Sequence, residues 1–589
     1  MTMSKVLECV LGKRALGSMG GAEGKLKRAA ALAAQHPRAA GFSYKYGTAG
    51  FREEASVLDS VCVRMGMLAW LRALQTGQAV GLMVTASHNP VADNGLKAVD
   101  PDGGMLAPAW EAVAVELMNA GESEVEAVLG KIVREMRIEA ALGEAGAEAE
   151  AAPPAPGSVK VVVGRDTRPH SARLSALALA GVAALGGRSE DVGVVTTPQL
   201  HHCVRSSNLP EEHGLASVAG YYAKLSRAAL EVIGDRRPQS GVIVDAAFGV
   251  GGPRVTELLR ELNRDVVAVR AEVRNSPTGA PERAAEEAAK LNVGVGAEHV
   301  QKGLVLPERT LALPAERGAR FASFDGDADR IVFFRATDKD TLNLFDGDKI
   351  ACLLTMFIQK QLAASGLKAK LGCVQTAYAN GASSRYIRDQ LKVEAPLTKT
   401  GVKHLHHKAL EYDIGVYFEA NGHGTVLFSR ALVDKVRAAR KTETDPAKNK
   451  ALRMLLALEQ LINQATGDAM ADLLAVEAVL CAENLSLDDW DAMYKDLPSR
   501  QLKCKVKDRA AIKTSEDETK VLQPVALQNA IDAAVKKYAS GRAFARPSGT
   551  EDAVRVYAEA ETPVMADKLA LEVSQAIFDH AGGVGKRPA

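Results

Sequence analysis

Short β-branched runs alternate with longer Ala- and Leu-rich stretches along this 589-residue chain, and this alternation is what most limits its fold. Val159–Val163, Gly241–Asp245 and Ile331–Phe334 have the composition of buried strands. Arg173–Ala184 and Asp348–Ala364 have the composition of helices. Strands that alternate with helices in this way predict layered α/β domains.

The second half of the chain continues the pattern and ends in a distinct unit. Ala451–Ala465 and Asp468–Leu480 are predicted to be helices. A helix near Ala526–Lys537 and a strand near Val554–Glu561 predict a separate C-terminal unit. With roughly 150 residues per domain, the length of the chain predicts about four domains.

Composition excludes several classes of protein. The hydrophobic fraction of 47% and the charged fraction of 25% are those of an ordinary globular protein. A net charge of +1 gives no reason to expect a nucleic-acid or membrane partner. The seven cysteines are scattered without a Cys-x-x-Cys pair, so neither a disulfide framework nor a zinc site is indicated. No apolar run reaches the roughly 20 residues that span a bilayer. We therefore expect a cytoplasmic protein.

Two segments stand apart in composition. Residues 1–40 are rich in Ala, Lys and Arg and contain only Glu8 and Glu23 as acids, which faintly resembles an organellar transit peptide. A surface helix or an extension is the interpretation we favour. Residues Glu139–Pro156 are rich in Ala and Glu and end in a proline cluster, which predicts a surface insertion or linker.

The segment Thr85–Pro90 carries a candidate nucleophile. Ser87 lies on a turn ahead of Asn-Pro, where its hydroxyl can be exposed. A serine needs a base, a metal or an attached phosphate to react, and no Gly-x-Ser-x-Gly elbow surrounds this one. Lys97 follows closely and could face a phosphate. An ordinary turn is the alternative.

A second segment predicts a metal site. Asp325, Asp327 and Asp329 alternate along a short loop in which Gly326 permits a tight bend, and converging carboxylates suit Mg²⁺. A solvated acidic turn is the alternative, but the strand that follows directly favours a metal. Arg330 could pair with the loop or bind a phosphate. A metal near a serine indicates phosphoryl transfer.

Two further loops could bind the parts of a phosphosugar. Glu419 and Asn421 follow the predicted strand Ile414–Phe418 and could bind sugar hydroxyls, with His423 as a candidate acid or base. The segment Arg546–Glu551 combines a guanidinium, hydroxyls and a Gly-containing turn, which suit a phosphate. The His-rich segment 400–408 could bind zinc, although it has no Cys or acidic partner.

The order of these four loops resembles that of the α-D-phosphohexomutase superfamily. The resemblance spans about residues 35 to 565. Four segments are similar to the branch that acts on N-acetylglucosamine phosphates: Tyr46–Arg52, Gln375–Gly381, Thr400–Lys408 and Phe418–Gly424. One departure from the pattern is His170, where a small residue is expected after Arg168-Pro169, at what we interpret as a surface turn.

The resemblance implies the fold and its domains. It implies an α/β protein of four domains around a central cleft, three of them α/β and the last a smaller α+β domain. The implied boundaries are an N-terminal extension at 1–40, domain 1 at 41–225 with its insertion at 139–156, domain 2 at 226–345, domain 3 at 346–495 and domain 4 at 496–589.

The resemblance also implies an activity and its site. The expected reaction interconverts N-acetylglucosamine 6-phosphate and 1-phosphate through a phosphoserine and a 1,6-bisphosphate, on the route to UDP-N-acetylglucosamine. One Mg²⁺ is expected on Ser87, Asp325, Asp327 and Asp329. The implied catalytic residues are Ser87, Arg52, His88, Lys97, Arg330 and His423. The implied substrate-binding residues are Glu419, Ala420, Asn421, Arg546, Pro547, Ser548, Gly549, Thr550 and Arg555.

Several points stay open at the level of sequence. Lys97, His423 and Arg52 are all candidates for moving the proton. Asn421 stands where related glucose and mannose mutases have Ser, which fits an N-acetyl group. We expect a monomer with a phosphosugar as its only partner, and glucose or N-acetylglucosamine 1,6-bisphosphate as activator. The alternatives are a glucose or mannose phosphate mutase, a Mg²⁺ phosphatase with an Asp nucleophile, and a non-catalytic sugar-phosphate binder.

Overall fold

A computed structural model describes residues 21–47, 50–144, 158–308, 318–337, 341–549 and 551–589. The chain divides into two compact units. The first contains residues up to Leu344 together with Gln460–Ala478, and the second contains Phe345–Glu459 and Val479–Ala589. Among the described residues, no helix combines the length and the apolar character that a membrane crossing requires.

The first unit begins with a five-stranded sheet whose strands are ordered β1-β3-β2-β4-β5. β2, β4 and β5 are parallel, whereas β3 runs antiparallel to both β1 and β2. The strands are β1 (Phe51–Glu54), β2 (Val80–Val84), β3 (Asp93–Val99), β4 (Val161–Arg165) and β5 (Ser189–Val194). The helices are Gly21–Gln35, Asp59–Thr76, Pro108–Asn119, Val125–Glu135, Glu139–Glu144, Ser171–Ala184, Thr197–Asn208, Pro210–His213 and Val218–Ile233.

Both faces of this sheet are buried, which explains the continuous apolar runs of its central strands. Val80, Leu82 and Val84 face one apolar cluster, while Met83 belongs to a second cluster formed with the helix Thr197–Asn208. The period-2 geometry of a strand produces this division.

The N-terminal helix Gly21–Gln35 is a surface helix whose inner face packs into the core, while residues 1–20 of the predicted extension lie outside the described residues. Ala29, Leu32 and Ala33 are fully buried in the larger cluster of this domain. Lys25 Nζ donates hydrogen bonds to the carbonyls of Leu142 (2.5 Å) and Gly143 (3.0 Å). The beginning of the Ala/Glu tract is therefore a helix that contacts the N-terminal helix, while residues 145–156 of the tract lie outside the described residues.

The second sheet of the first unit has the order β10-β9-β8-β6-β7. β6, β7 and β8 are parallel, and β9 is antiparallel to β8. The strands are β6 (Val242–Asp245), β7 (Ala271–Arg274), β8 (Arg320–Phe324), β9 (Ile331–Ala336) and β10 (Leu342–Phe345). The helices are Gly251–Leu262, Ala284–Ala289 and Ala297–Gly303.

The second unit begins with a four-stranded sheet of order β12-β11-β13-β14. β11 is parallel to β12 and β13, and β14 is antiparallel to β13. The strands are β11 (Leu371–Thr376), β12 (Leu397–Thr398), β13 (Ile414–Phe418) and β14 (Gly424–Phe428). The helices of this part of the chain are Gly347–Ser365, Gly381–Arg385, Val402–Ala409, Arg430–Thr442, Pro446–Leu461 and Leu487–Asp491. A further helix, Ala469–Glu483, begins in the segment Gln460–Ala478 of the first unit.

The last domain is a smaller α+β unit. Its antiparallel sheet has the order β15-β19-β18, with two helices packed against it in one apolar cluster. The strands are β15 (Ser499–Lys505), β16 (Lys513–Thr514), β17 (Val521–Gln523), β18 (Arg542–Pro547) and β19 (Ala553–Glu559), and the helices are Val525–Val535 and Pro563–His580. Three domains with mixed sheets and a smaller α+β domain confirm the predicted fold class.

Candidate active site

Ser87 lies in a tight turn just after β2. Its backbone has φ of 53°, in the left-handed region. Its Oγ donates a hydrogen bond of 2.7 Å to Asp325 Oδ2, 238 residues away in sequence. Only 1% of Ser87 is exposed, so the expectation of an exposed hydroxyl is wrong for this structure. The turn forms as predicted, but the metal loop packs over it.

A buried polar network holds this serine loop. Thr85 Oγ1 accepts from Ser87 N (3.0 Å) and donates to Asp166 Oδ2 (2.8 Å). Asp166 pairs with the Arg168 guanidinium, which in turn donates to the carbonyls of Ser87 (3.2 Å) and Asn89 (2.7 Å). The turn Gly164–Pro169 therefore supports the serine loop.

His170 lies in a turn, as predicted, and its ring extends the same support. Its Nε2 bonds to the Val91 carbonyl (2.9 Å), and its Nδ1 bonds to Asn94 Nδ2 (2.8 Å). An amide NH₂ can only donate, so Nδ1 accepts and Nε2 carries the proton. Burial lowers the pKa of His170, which favours this neutral form.

The metal loop is the turn between β8 and β9. The oxygens of Asp325, Asp327 and Asp329 lie within 4.8 Å of one another, and all three residues are buried. Gly326 permits a close approach to the serine loop, because a Cβ there would lie 2.6 Å from the Ser87 carbonyl oxygen. The sequence prediction that these carboxylates converge beside Ser87 agrees with this geometry.

The charges of the cluster are only partly balanced. Lys97 Nζ donates to Asp327 Oδ2 (2.8 Å) and Asp329 Oδ2 (3.0 Å), and Thr197 Oγ1 donates to Asp327 Oδ2 (2.6 Å). Burial and the two neighbouring carboxylates raise the pKa of Asp325 well above its ordinary value. Burial also disfavours the Asp327 charge, but Lys97 and Thr197 hold its pKa below the ordinary value.

These residues fit Mg²⁺. Three hard carboxylate ligands converge, and Asp327 Oδ1 is buried without a hydrogen-bond partner among the described residues. Lys97 and the more distant Arg330 bring two positive charges to three carboxylates, and a divalent cation would neutralise the remainder.

Arg52, His88 and Arg330 surround the same cluster. Arg52 Nη1 donates to Asn89 Oδ1 (3.1 Å), and burial lowers its pKa. His88 Nε2 lies 3.3 Å from Glu298 Oε2, and burial lowers the pKa of His88 to about 3. Arg330 Nε lies 3.8 Å from both Asp325 Oδ2 and Asp329 Oδ1.

The predicted sugar loop is the tight turn between β13 and β14. Asn421 Nδ2 donates to Glu419 Oε2 (3.2 Å), so the two side chains lie together. His423 N donates to Asn421 Oδ1 (2.9 Å), and Gly422 adopts φ of 83° to close the turn. Ala420 contributes its carbonyl, which accepts from Gly347 N (3.5 Å). Glu419 and Asn421 can therefore form hydrogen bonds with two neighbouring sugar hydroxyls.

The predicted phosphate loop lies at the end of β18. Arg546 pairs directly with Arg555 of β19, which in turn pairs with Lys503 of β15. Three cations in a row across a sheet repel one another unless anions lie between them. Here Glu518 lies 3.6 Å from Arg546, and Glu551 bonds to both Arg555 and Lys503. Phosphate oxygens could replace these carboxylates.

The structure describes the other residues of this loop up to Gly549. Pro547 ends β18 and Ser548 and Gly549 follow it, while Thr550 lies outside the described residues. Ser548 is buried, and its N–H donates to the Ala553 carbonyl (2.8 Å).

Sequence reasoning missed several residues of the site: Thr197, Glu298, Lys503, Glu518 and also Asn292, whose Nδ2 donates to the Ser87 carbonyl (2.9 Å). One had a signal, because Thr196 and Gln199 have capping-box spacing, which marks the start of a helix next to Thr197. The others act from positions distant in sequence, and no local pattern marks them.

Comparison with known proteins agrees with this architecture. Models described as phosphoglucomutase/phosphomannomutase α/β/α domain I and C-terminal domain match residues 53–125 with 128–214 and residues 502–576. Models of phosphoacetylglucosamine mutase AMG1 domains II and III match residues 221–332 and 346–485. Four such domains in this order define a phosphohexomutase.

Similarity to individual proteins shows which family of phosphohexomutases the chain belongs to. Phosphoacetylglucosamine mutase of Sus scrofa is 46% identical, over 94% of this chain and 97% of its own. N-acetylphosphoglucosamine mutase of Aspergillus fumigatus, solved with GlcNAc-6P and magnesium, is 40% identical with a TM-score of 0.84 (94% of this chain, 99% of that one). A variant of that enzyme, solved with glucose 1,6-bisphosphate, has the same identity and TM-score (95% and 99%). The chain belongs to the phosphoacetylglucosamine mutase family.

Proposed function

We propose that this chain is an isomerase that interconverts N-acetylglucosamine 6-phosphate and N-acetylglucosamine 1-phosphate through a phosphoserine at Ser87. The observation that carries the proposal is the 2.7 Å contact of Ser87 Oγ with Asp325, inside a buried cluster of three carboxylates and Lys97. A serine held in this way suits carrying a phosphoryl group.

The chain's own residues prepare Ser87 for transfer. Asp325, Asp327, Asp329 and a phosphoserine oxygen would hold Mg²⁺, which supplies charge neutralisation on the transferring group. Lys97 holds Asp327 and Asp329 in place with two of its three donors. Arg52 and Arg330 add positive charge around the loop, which favours the anionic transition state.

Phosphoryl transfer exchanges one phosphorus–oxygen bond for another. The bond from phosphorus to Ser87 Oγ breaks while a bond to the free O1 or O6 hydroxyl of the substrate forms, which gives a 1,6-bisphosphate. The hydroxyl proton passes through Lys97, His423 or Arg52 and ends on Ser87 Oγ, which then donates to Asp325 as in this structure. The bisphosphate turns over and returns its other phosphate to Ser87 by the reverse step.

Binding determines which sugar reacts. Arg546, Ser548, Gly549 and Arg555 hold the phosphate that is not transferred, with Pro547 shaping the loop and Thr550 as a further predicted ligand. Glu419 and Asn421 bind hydroxyls, and Asn421 leaves room for the N-acetyl group. Glucose or N-acetylglucosamine 1,6-bisphosphate recharges a dephosphorylated Ser87, which makes it an activator.

We further propose a monomer that works in the cytoplasm on the route to UDP-N-acetylglucosamine. The domain boundaries stated from sequence, with domain 1 at 41–225, domain 2 at 226–345, domain 3 at 346–495 and domain 4 at 496–589, belong to the same proposal.

The test is intact-protein mass spectrometry together with turnover. Wild type should carry one phosphate that is absent in Ser87→Ala, and the substitution should lower turnover by at least about a thousandfold. Ser226→Ala is the matched control, because Ser226 is a buried serine whose Oγ has no partner among the described residues. An unphosphorylated wild type after incubation with glucose 1,6-bisphosphate would contradict the mechanism. Phosphate release that survives Ser87→Ala would indicate the phosphatase alternative.

A further inference from the structure

The conformation of Ser87 has to be enforced by its surroundings. A left-handed conformation is sterically strained at a residue other than glycine, because Cβ then lies close to backbone oxygen. The two carbonyls that define this turn, those of Ser87 and Asn89, each accept two hydrogen bonds. One donor is Arg168 Nη2, and the other is Asn292 Nδ2, at 2.9 Å from the Ser87 oxygen and 3.3 Å from the Asn89 oxygen.

Asn292 reaches the serine loop from a different domain. It lies 205 residues beyond Ser87, in the segment Leu291–Gly296. Its N–H donates to the Ala247 carbonyl (3.1 Å), and its own φ is 59°. The family model that matches this part of the chain is that of domain II, whereas Ser87 lies within the match to domain I.

Asn292 also contacts the metal loop. A Cβ at Gly326 would lie 2.9 Å from Asn292 Nδ2 and 2.6 Å from the Ser87 oxygen. The amide therefore lies where the serine loop and the metal loop approach each other. Its two donor hydrogens fix the turn that directs Ser87 Oγ towards Asp325.

We propose that Asn292 is a positioning residue that holds the serine loop in the correct position against the metal loop. The proposal rests on the proposed function, because it concerns the placement of the phosphoryl carrier. Asn292 bonds to backbone carbonyls and not to the Ser87 hydroxyl. Its loss should therefore slow the transfer step and leave sugar binding almost unchanged.

Two substitutions separate the amide from the backbone. Asn292→Gly keeps the left-handed conformation available and removes the side chain. Asn292→Asp keeps the size and replaces the NH₂ donor with a carboxylate oxygen that repels both carbonyls. Asn484→Gly is the control, because Asn484 is an exposed asparagine in the same conformation, with φ of 56°.

We expect both Asn292 variants to lower kcat about 10- to 100-fold, the usual effect of removing a residue that orients a reacting group, with little change in KM. The rate at which glucose 1,6-bisphosphate reloads dephosphorylated Ser87, followed by intact mass, should fall in parallel. Asn484→Gly should match wild type in both measurements.

Wild-type kcat in Asn292→Gly would overturn the proposal, since the backbone conformation alone would then suffice. A raised KM with unchanged kcat would also overturn it. So would a loss of activity that merely follows a loss of native circular dichroism in both variants. A wild type without mutase turnover would instead overturn the proposed function, and this proposal with it.

Discussion

At the scale of single residues, burial gives Asp348 an unusual titration. Asp348 lies in the first turn of the helix Gly347–Ser365 and is 2% exposed. Burial raises the pKa of Asp348 from 3.8 to about 7. The hydrogen bond from Asn380 N (2.8 Å) opposes this rise, and the negative charge of the nearby Asp496 adds to it. A carboxyl that keeps its proton in the native state makes stability depend on pH.

The native and unfolded states release this proton at different pH values, and this difference sets the direction in which stability changes with pH. The unfolded chain releases this proton near pH 4 and the native state near pH 7, so the native state binds more protons between these values. Stability should therefore fall as the pH rises through this window. Asp348→Asn keeps an acceptor for Asn380 N–H and cannot ionise.

We expect the urea midpoint of Asp348→Asn to match wild type near pH 4 and to exceed it increasingly up to about pH 7, by an amount worth roughly 1–4 kcal/mol. Asp434→Asn removes an exposed carboxyl and should give a curve parallel to wild type. A constant difference between Asp348→Asn and wild type at every pH would contradict the argument.

At the scale of elements, the start of the helix Thr197–Asn208 carries two hydroxyls with different tasks. Thr196 Oγ1 caps the helix by accepting from Gln199 N (3.2 Å). Thr197 Oγ1 donates to Asp327 Oδ2 (2.6 Å), and Thr197 N donates to the Asp327 carbonyl (3.1 Å). One residue stabilises the helix, and its neighbour orients a metal ligand.

Valine at each position tests this division. Thr197→Val should raise the Mg²⁺ concentration for half-maximal activity about tenfold, because it removes a hydrogen bond that orients Asp327. Thr196→Val should lower the free energy of unfolding by about 1 kcal/mol through loss of the cap and leave the Mg²⁺ dependence unchanged. Activity titrations with Mg²⁺ and urea unfolding measure the two effects. An unchanged Mg²⁺ requirement in Thr197→Val would exclude the proposed division.

These elements also show what sequence can and cannot reveal. β4, β6, β9 and β13 were predictable because a buried strand needs a short apolar run, and that requirement is local. The convergence of the three aspartates in the metal loop was also predictable, because all three lie in one short stretch of sequence. Thr197 lies 130 residues from Asp327, and Asn292 lies 205 residues from Ser87, so only the tertiary fold creates these contacts. The burial of Ser87 escaped prediction because turn chemistry does not specify what packs over a turn.

At the scale of the whole molecule, a buried ion pair secures a returning segment. Arg320 in β8 bonds through Nε and Nη2 to both carboxylate oxygens of Glu477, at 2.8 and 2.7 Å, and the two residues are 7% and 4% exposed. Glu477 belongs to Gln460–Ala478, the segment that rejoins the first unit. In the same segment, Ala469 N donates to the Ala328 carbonyl of the metal loop (3.0 Å). The pair therefore helps to hold a segment that contacts the metal loop through Ala469.

Removing one charge of this ion pair should lower the free energy of unfolding more than replacing both residues with apolar ones. Glu477→Gln leaves the Arg320 charge buried without a counter-charge, which should lower the free energy of unfolding by about 3–5 kcal/mol. The double variant Arg320→Met/Glu477→Leu removes both charges and should regain most of that loss. The exposed pair Arg500–Asp567 gives a control, since Asp567→Asn should change stability by less than about 1 kcal/mol. Urea unfolding compares wild type with these three variants. A double variant no more stable than Glu477→Gln would show that the unpaired Arg320 charge is not what destabilises the single variant. Because the segment contacts Ala328, Glu477→Gln should also raise the Mg²⁺ concentration for half-maximal activity, and the double variant should restore it.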